Sequence, residues 1–139
     1  MKNTFFKLVM AALIFTAASS QAGPAMLNVK LVKLTSNGRI TPGLENVAAI
    51  IQRNLPYAGC ELIEQKACVL PANATLSFKI GYSLICKSTE DSVAATILKN
   101  NKLLISTTVT LKDTTPVIIG GFDGGTTGTK HVFVLQKGE

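Results

Sequence analysis

From Leu76 to Cys86 apolar and polar positions alternate. Leu76, Phe78, Ile80, Tyr82, Leu84 and Cys86 alternate with Ser77, Lys79, Gly81, Ser83 and Lys87. A two-residue period places one row of side chains on an oily face, so this stretch predicts a strand. Gly81 inside it predicts a bulge or bend. Residues 26–34 alternate more loosely, with Leu27, Val29, Leu31 and the pair Val32/Leu34 set against Asn28, Lys30 and Lys33, and predict a first strand. Ser36-Asn37-Gly38 then supplies turn chemistry. Short apolar runs at 60–63 and 66–70 flank Glu64-Gln65 and predict a hairpin. Runs at 93–99 and 102–111 flank Asn100-Asn101, a pair suited to a two-residue hairpin turn. Two further short strands are expected at 116–121 and 130–135.

One segment keeps a different period. Leu44, Val47, Ala48, Ile51 and Leu55 recur at three- and four-residue intervals and form one apolar stripe of a helix. Thr41 and Pro42 suit its cap and first position. Glu45 near the start and Arg53 near the end oppose the helix dipole, and Pro56 stops it. Many short strands with one such helix predict a mainly β fold, a β-sandwich or partly open barrel with the amphipathic helix on a face or end. An α+β sheet layer is the alternative.

The amino terminus follows neither period. Lys2 and Lys7 precede the apolar run from Leu8 to Phe15, and Ser20-Gln21-Ala22 offers small residues for cleavage before Gly23. This arrangement predicts a signal peptide over 1–22 and a single strand-rich exported domain over 23–139. The apolar run falls short of the roughly 20 residues that span a bilayer, and no later segment supplies them. The expected localisation is periplasmic or secreted, with no transmembrane segment after cleavage. No cysteine follows the cleavage site to carry a lipid anchor.

Charge narrows the choice of partners. The formal net charge is +6, and Lys2 and Lys7 of the leader contribute to it. The remaining basic residues, among them Lys30, Lys33, Arg53, Lys79, Lys99 and Lys102, form no tight run. Nucleic-acid binding uses a clustered basic face, often interleaved with aromatics, so no nucleic-acid partner is expected.

The exported compartment permits disulfides among the three cysteines. Cys60 and Cys68 stand symmetrically about residue 64, the expected hairpin tip, and are the first candidates for a bridge. Cys86 is then a free thiol on the apolar face, with Cys68–Cys86 the alternative pairing. The cysteine spacings match no zinc set, and one histidine cannot complete one.

Catalytic motifs are missing. The glycine-rich stretch with Gly121, Asp123, Gly124 and Gly125 has no Gly-Lys-Ser/Thr leading into a helix, so it is expected to be a hairpin loop rather than a phosphate cradle. His131 follows it and is expected at the surface where the last strand begins. Glu90-Asp91 is a loop pair, unlike the facing carboxylates of glycoside hydrolysis. No Gly-x-Ser-x-Gly or His-Glu-x-x-His occurs. Asn73-Ala74-Thr75 fits a glycosylation acceptor in a loop. No cofactor and no metal is expected.

Segments reading VKLVKLTSN, IIQRNLPYAGCELIE, VLPANATLSF and TPVIIGG with HVFVLQ together resemble small exported bacterial proteins of unassigned function. The closing strands, with Gly-Gly after an apolar run, also faintly resemble secretin-type domains of outer-membrane channels. The second resemblance implies a role in the envelope or secretion apparatus with protein partners.

The leading expectation is therefore a non-enzymatic exported structural or protein-interaction domain, with a protein partner in the cell envelope or self-association through strand edges. A periplasmic carrier is the first alternative, with a pocket between sheet and helix lined by Ile51, Phe78 and Tyr82. A small hydrolase using His131 is the second.

Overall fold

A computed structural model describes residues 25–88, 92–111 and 114–138. The expected signal peptide and the Glu90-Asp91 pair lie outside these residues. The strands are β1 (Met26–Thr35), β2 (Gly59–Val69), β3 (Asn73–Ser77), β4 (Tyr82–Ser88), β5 (Ser92–Lys99), β6 (Lys102–Thr110), β7 (Val117–Asp123) and β8 (Lys130–Gly138). Helix α1 (Glu45–Asn54) joins β1 to β2.

The strands form two antiparallel sheets, one in the order β2-β1-β8-β7 and the other β3-β4-β5-β6. Inner-face residues of the first sheet, Leu27, Val29, Leu31, Phe133 and Leu135, pack on Leu84, Cys86, Val93, Ala95 and Ile97 of the second. The mainly β expectation holds, and the two separate sheets make the fold a sandwich rather than a partly open barrel.

Alternation is lost along β1 and β8 because the first sheet is covered on both faces there. Its outer face carries Val32, Leu34, Val132 and Val134, which pack against Leu44, Val47, Ala48 and Ile51 beside α1. Residues 131–135 are consequently all buried. The apolar stripe of α1 is thus the cover for one end of that face, and burying a side chain such as Ile51 is worth about 1.5–3 kcal/mol. The helix starts later than Thr41-Pro42 predicts. Thr41 does not cap it; its hydroxyl accepts from the Leu62 amide at 3.0 Å and ties the incoming loop to β2.

Two elements exchange roles relative to the sequence pattern. The expected hairpin at 60–70 is one strand, β2, paired with β1 along its length and bulged opposite Leu31/Val32. The expected strand at 76–86 is a hairpin. Ile80 and Gly81 take left-handed conformations with φ of 64° and 82°, and the Phe78 amide donates to the Tyr82 carbonyl across the turn. Glu64 of β2 fastens this turn by accepting from the Lys79 amide at 2.8 Å. Asn73-Ala74-Thr75 lies at the start of β3 rather than in a loop. The Asn100-Asn101 turn forms as expected, with φ of 52° and 68°.

Candidate functional site

The cysteines do not pair as the symmetric spacing suggests. All three are free. Cys60 and Cys68 stand eight residues apart on the single strand β2, a separation of about 26 Å at strand rise. They also serve different layers: Cys60 packs with the helix, Cys68 between the sheets. The physical reason is the missing hairpin at residue 64. Cys86 is buried between the sheets, and burial together with the neighbouring Cys68 pushes its thiol up to about 11. A thiol held in that range is a poor nucleophile near neutral pH.

Ile51, Phe78 and Tyr82 do not share a pocket. Ile51 belongs to the layer outside the first sheet, whereas Phe78 and Tyr82 lie inside the sandwich. Phe78 and Tyr82 both meet the Phe133 ring edge-on, at centroid distances of 5.2 and 5.5 Å. A cleft lies instead on the helix side. It has a volume of about 370 Å³ and lies between α1 and β7, lined by Ile50, Ile51, Leu55, Ile118 and Val132 among others. Of the three expected pocket residues, it retains Ile51.

Asp123, Gly124 and Gly125 form the β7–β8 turn. The Gly125 amide donates to Oδ1 of Asp123 at 3.1 Å, and the Gly124 amide to the Thr129 carbonyl at 3.2 Å. The Asp123 carboxylate is thereby used to shape the loop, as Asx turns do. Gly121 sits at a bulge, where the pairing of β7 with β8 slips between Gly120 and Phe122. Neighbouring Gly120 has a φ of 130°, and a side chain there would run into the Phe122 ring.

His131 is not at the surface. It shares the inward parity of Phe133 and Leu135, and only 3% of it is exposed. Its Nδ1 lies 2.9 Å from the hydroxyl of Tyr82, which is itself 1% exposed. Burial lowers the His131 pKa, and the ammonium groups of Lys99 and Lys33 lower it further against a smaller opposing effect of Asp123. Burial raises the Tyr82 pKa, as does Asp123. Both groups are therefore held neutral, and the ammonium of Lys99 rests 5.0 Å from the centre of the Tyr82 ring. Among the described residues the pair makes no further side-chain hydrogen bond to a hydroxyl or thiol nucleophile, the arrangement covalent catalysis uses. The sequence pattern did not join Tyr82 to His131, although the two inward rows 82-84-86 and 131-133-135 carry that information.

The sheet edges differ in how they are protected. β3 has five residues. β7 is broken by its glycine bulge. β2 carries Glu61, Glu64 and Lys66, and its start is bridged by Ile40. Short length, bulges and charge all discourage pairing with another chain. β6 has a lysine, Lys102, at its start and a bulge at Leu104 opposite Ile97/Leu98, but from Ile105 to Thr110 it pairs regularly and carries no charge. It runs nine residues, has no charge from Leu103 to Thr110, and exposes Leu103 by 62% and Leu104 by 41%.

Among the described residues no cluster of His, Cys, Asp and Glu could hold a metal ion, and no helix is long and apolar enough to cross a membrane. Compared with protein-family models, curated proteins and solved structures, the chain matches none.

Proposed function

We propose that the chain is an exported, non-enzymatic interaction domain of the cell envelope or secretion apparatus, which binds an extended segment of a protein partner along β6. The observation that carries this reading is the contrast between β6 and the other three edges. An unpaired strand presents a row of amide and carbonyl groups to an incoming strand, and main-chain hydrogen bonds then extend the sheet. Leu103 and Leu104 add apolar contact at one end of that row, and the Ser/Thr side chains of Ser106, Thr108 and Thr110 keep the outer face compatible with water.

The test is to isolate the chain from its native envelope and measure its mass by size exclusion with light scattering. Wild type is expected in a complex, and the Leu104→Lys/Thr108→Lys double variant as a monomer, because lysines on an edge oppose pairing. A wild-type chain that elutes as a bare monomer contradicts the proposal.

The cleft between α1 and β7 favours a second reading, a carrier for a small apolar molecule. Its volume falls at the lower end of the range of about 300–1,000 Å³ for ligand pockets. Nile red is expected to brighten on binding the wild-type chain and not the Ile118→Trp variant, whose ring fills the cleft. Equal response of the two excludes this reading.

A further inference from the structure

The regular part of β6 has nearly the same chemistry read in either direction. From Ile105 to Val109 it runs Ile-Ser-Thr-Thr-Val, so Thr107 is flanked first by hydroxyl side chains and then by β-branched aliphatic ones. Pairing with β5 sorts these positions by face. Ile105, Thr107 and Val109 stand opposite Ile97, Ala95 and Val93, which are buried on the inner face. Ser106 and Thr108 stand opposite Thr96 and Ala94 on the outer face. Ile105 and Val109 pack against the core yet stay half-buried, because β6 is the last strand of its sheet.

Two copies that meet through one patch need this symmetry, since residue i then meets j while j meets i. Antiparallel strands set directly opposite residues on the same side of the sheet, where their side chains touch. Two β6 strands laid antiparallel with Thr107 on the two-fold axis therefore place Ile105 against Val109 twice on the inner face. They place Ser106 against Thr108 twice on the outer face. Thr96 Oγ1 and Ser106 Oγ already lie 3.1 Å apart, and Thr108 of the second copy continues that row of hydroxyls. Moving the axis by one residue either way sets Thr107 against Ile105 or Val109 and loses the aliphatic pairs. No charge lies in the paired stretch, although the chain is basic overall. A partner of unrelated sequence requires no such symmetry in β6.

We infer that the strand added to β6 belongs to a second copy of this chain, bound antiparallel about a two-fold axis through Thr107. The two copies of the β3-β4-β5-β6 sheet then become one continuous sheet. This inference rests on the reading of β6 as a pairing edge. The bulge at Leu104 ends the regular stretch on one side and the strand closes at Thr110 on the other. So short a contact gives a reversible dimer that depends on concentration, unlike the large interfaces of permanent dimers.

The experiment mixes isotope-labelled and unlabelled wild-type chain, purified free of other proteins, and reads contacts between copies by NMR. It runs up to about 1 mM, where even a Kd of that size leaves much of the chain paired. Cross-chain contacts between the Ile105 and Val109 methyl groups are expected. Thr107→Lys alone and Thr107→Glu alone are each expected to be monomeric, because like charges then oppose each other across the axis. An equal mixture of the two is expected to regain the dimer mass. Both variants are checked for an unchanged fold by their backbone spectra, and the wild-type measurement decides if either fails to fold. A wild-type chain that stays monomeric, contacts that join other residues, or folded variants that pair alone or stay apart when mixed would each overturn the inference. If slowed β6 exchange in the native envelope complex accompanies such a result, β6 remains a pairing edge and its partner is another protein. If β6 exchange is unchanged in that complex, the reading of the edge itself fails.

Discussion

The hydroxyl of Tyr82 lies 2.9 Å from Nδ1 of His131, and this contact joins β4 of one sheet to β8 of the other inside the sandwich. A neutral pair in that position couples stability to pH. The folded-state pKa of His131 lies below its unfolded value near 6.5. As pH falls below that value, the unfolded chain takes up a proton that the folded chain resists, so stability declines until pH passes the lower, folded pKa and the loss levels off. Above neutrality the imidazole contributes no pH dependence. Urea midpoints measured through the acid range are expected to show this fall, and His131→Asn is expected to reduce it.

Tyr82→Phe removes the hydroxyl and leaves the buried Nδ1 without its partner. The expected cost is about 1–3 kcal/mol, read from chemical denaturation. The same substitution is expected to raise the mobility of the His131 ring in relaxation measurements, since the Tyr82 hydroxyl is the group within hydrogen-bond distance of its Nδ1.

Ile80 holds a φ of 64° at the turn between β3 and β4, with 52% of its surface exposed. A β-branched residue is costly in the left-handed region, and asparagine tolerates it well. Ile80→Asn is therefore expected to stabilise the fold by about 1 kcal/mol, visible as a higher denaturant midpoint. A lower midpoint would mean that the Ile80 side chain contributes packing that outweighs its backbone strain.

The thiols are expected to react in an order set by burial. Cys68 is the one cysteine of the three that is partly exposed, while Cys60 and Cys86 are buried. Iodoacetamide near pH 8 is expected to label Cys68 in the folded chain and the other two only in denaturant. Peptide mapping without reductant is expected to show no Cys60–Cys68 bridge.

Much of the architecture was readable because periodicity reflects burial. The stripe Leu44–Val47–Ala48–Ile51 gave the helix and its buried face, and Asn100-Asn101 gave the β5–β6 turn. The pattern failed where two faces share one signal. Leu76 through Cys86 alternates without a break because both arms of a hairpin face the same core, and the turn at Ile80-Gly81 leaves the parity intact. Glu64-Gln65 imitates a turn in mid-strand because β2 is an edge strand that tolerates charge. That second misreading brought Cys60 and Cys68 together on paper.

The candidate site was less legible. His131 was visible as the only histidine, yet its burial depends on the second sheet placing Tyr82 against it, which no local pattern reveals. The distinction between β6 and the other edges was equally hidden, since strand order is a property of the folded sheets.

The role of β6 as a pairing edge is tested most directly by hydrogen exchange. The chain in its native envelope complex is compared with the isolated chain, amide by amide. Slowed exchange within Lys102–Thr110, with β3 and β7 unchanged, is the result expected of an added strand. Unchanged exchange along β6 in the complex, or protection confined to another edge, would contradict it.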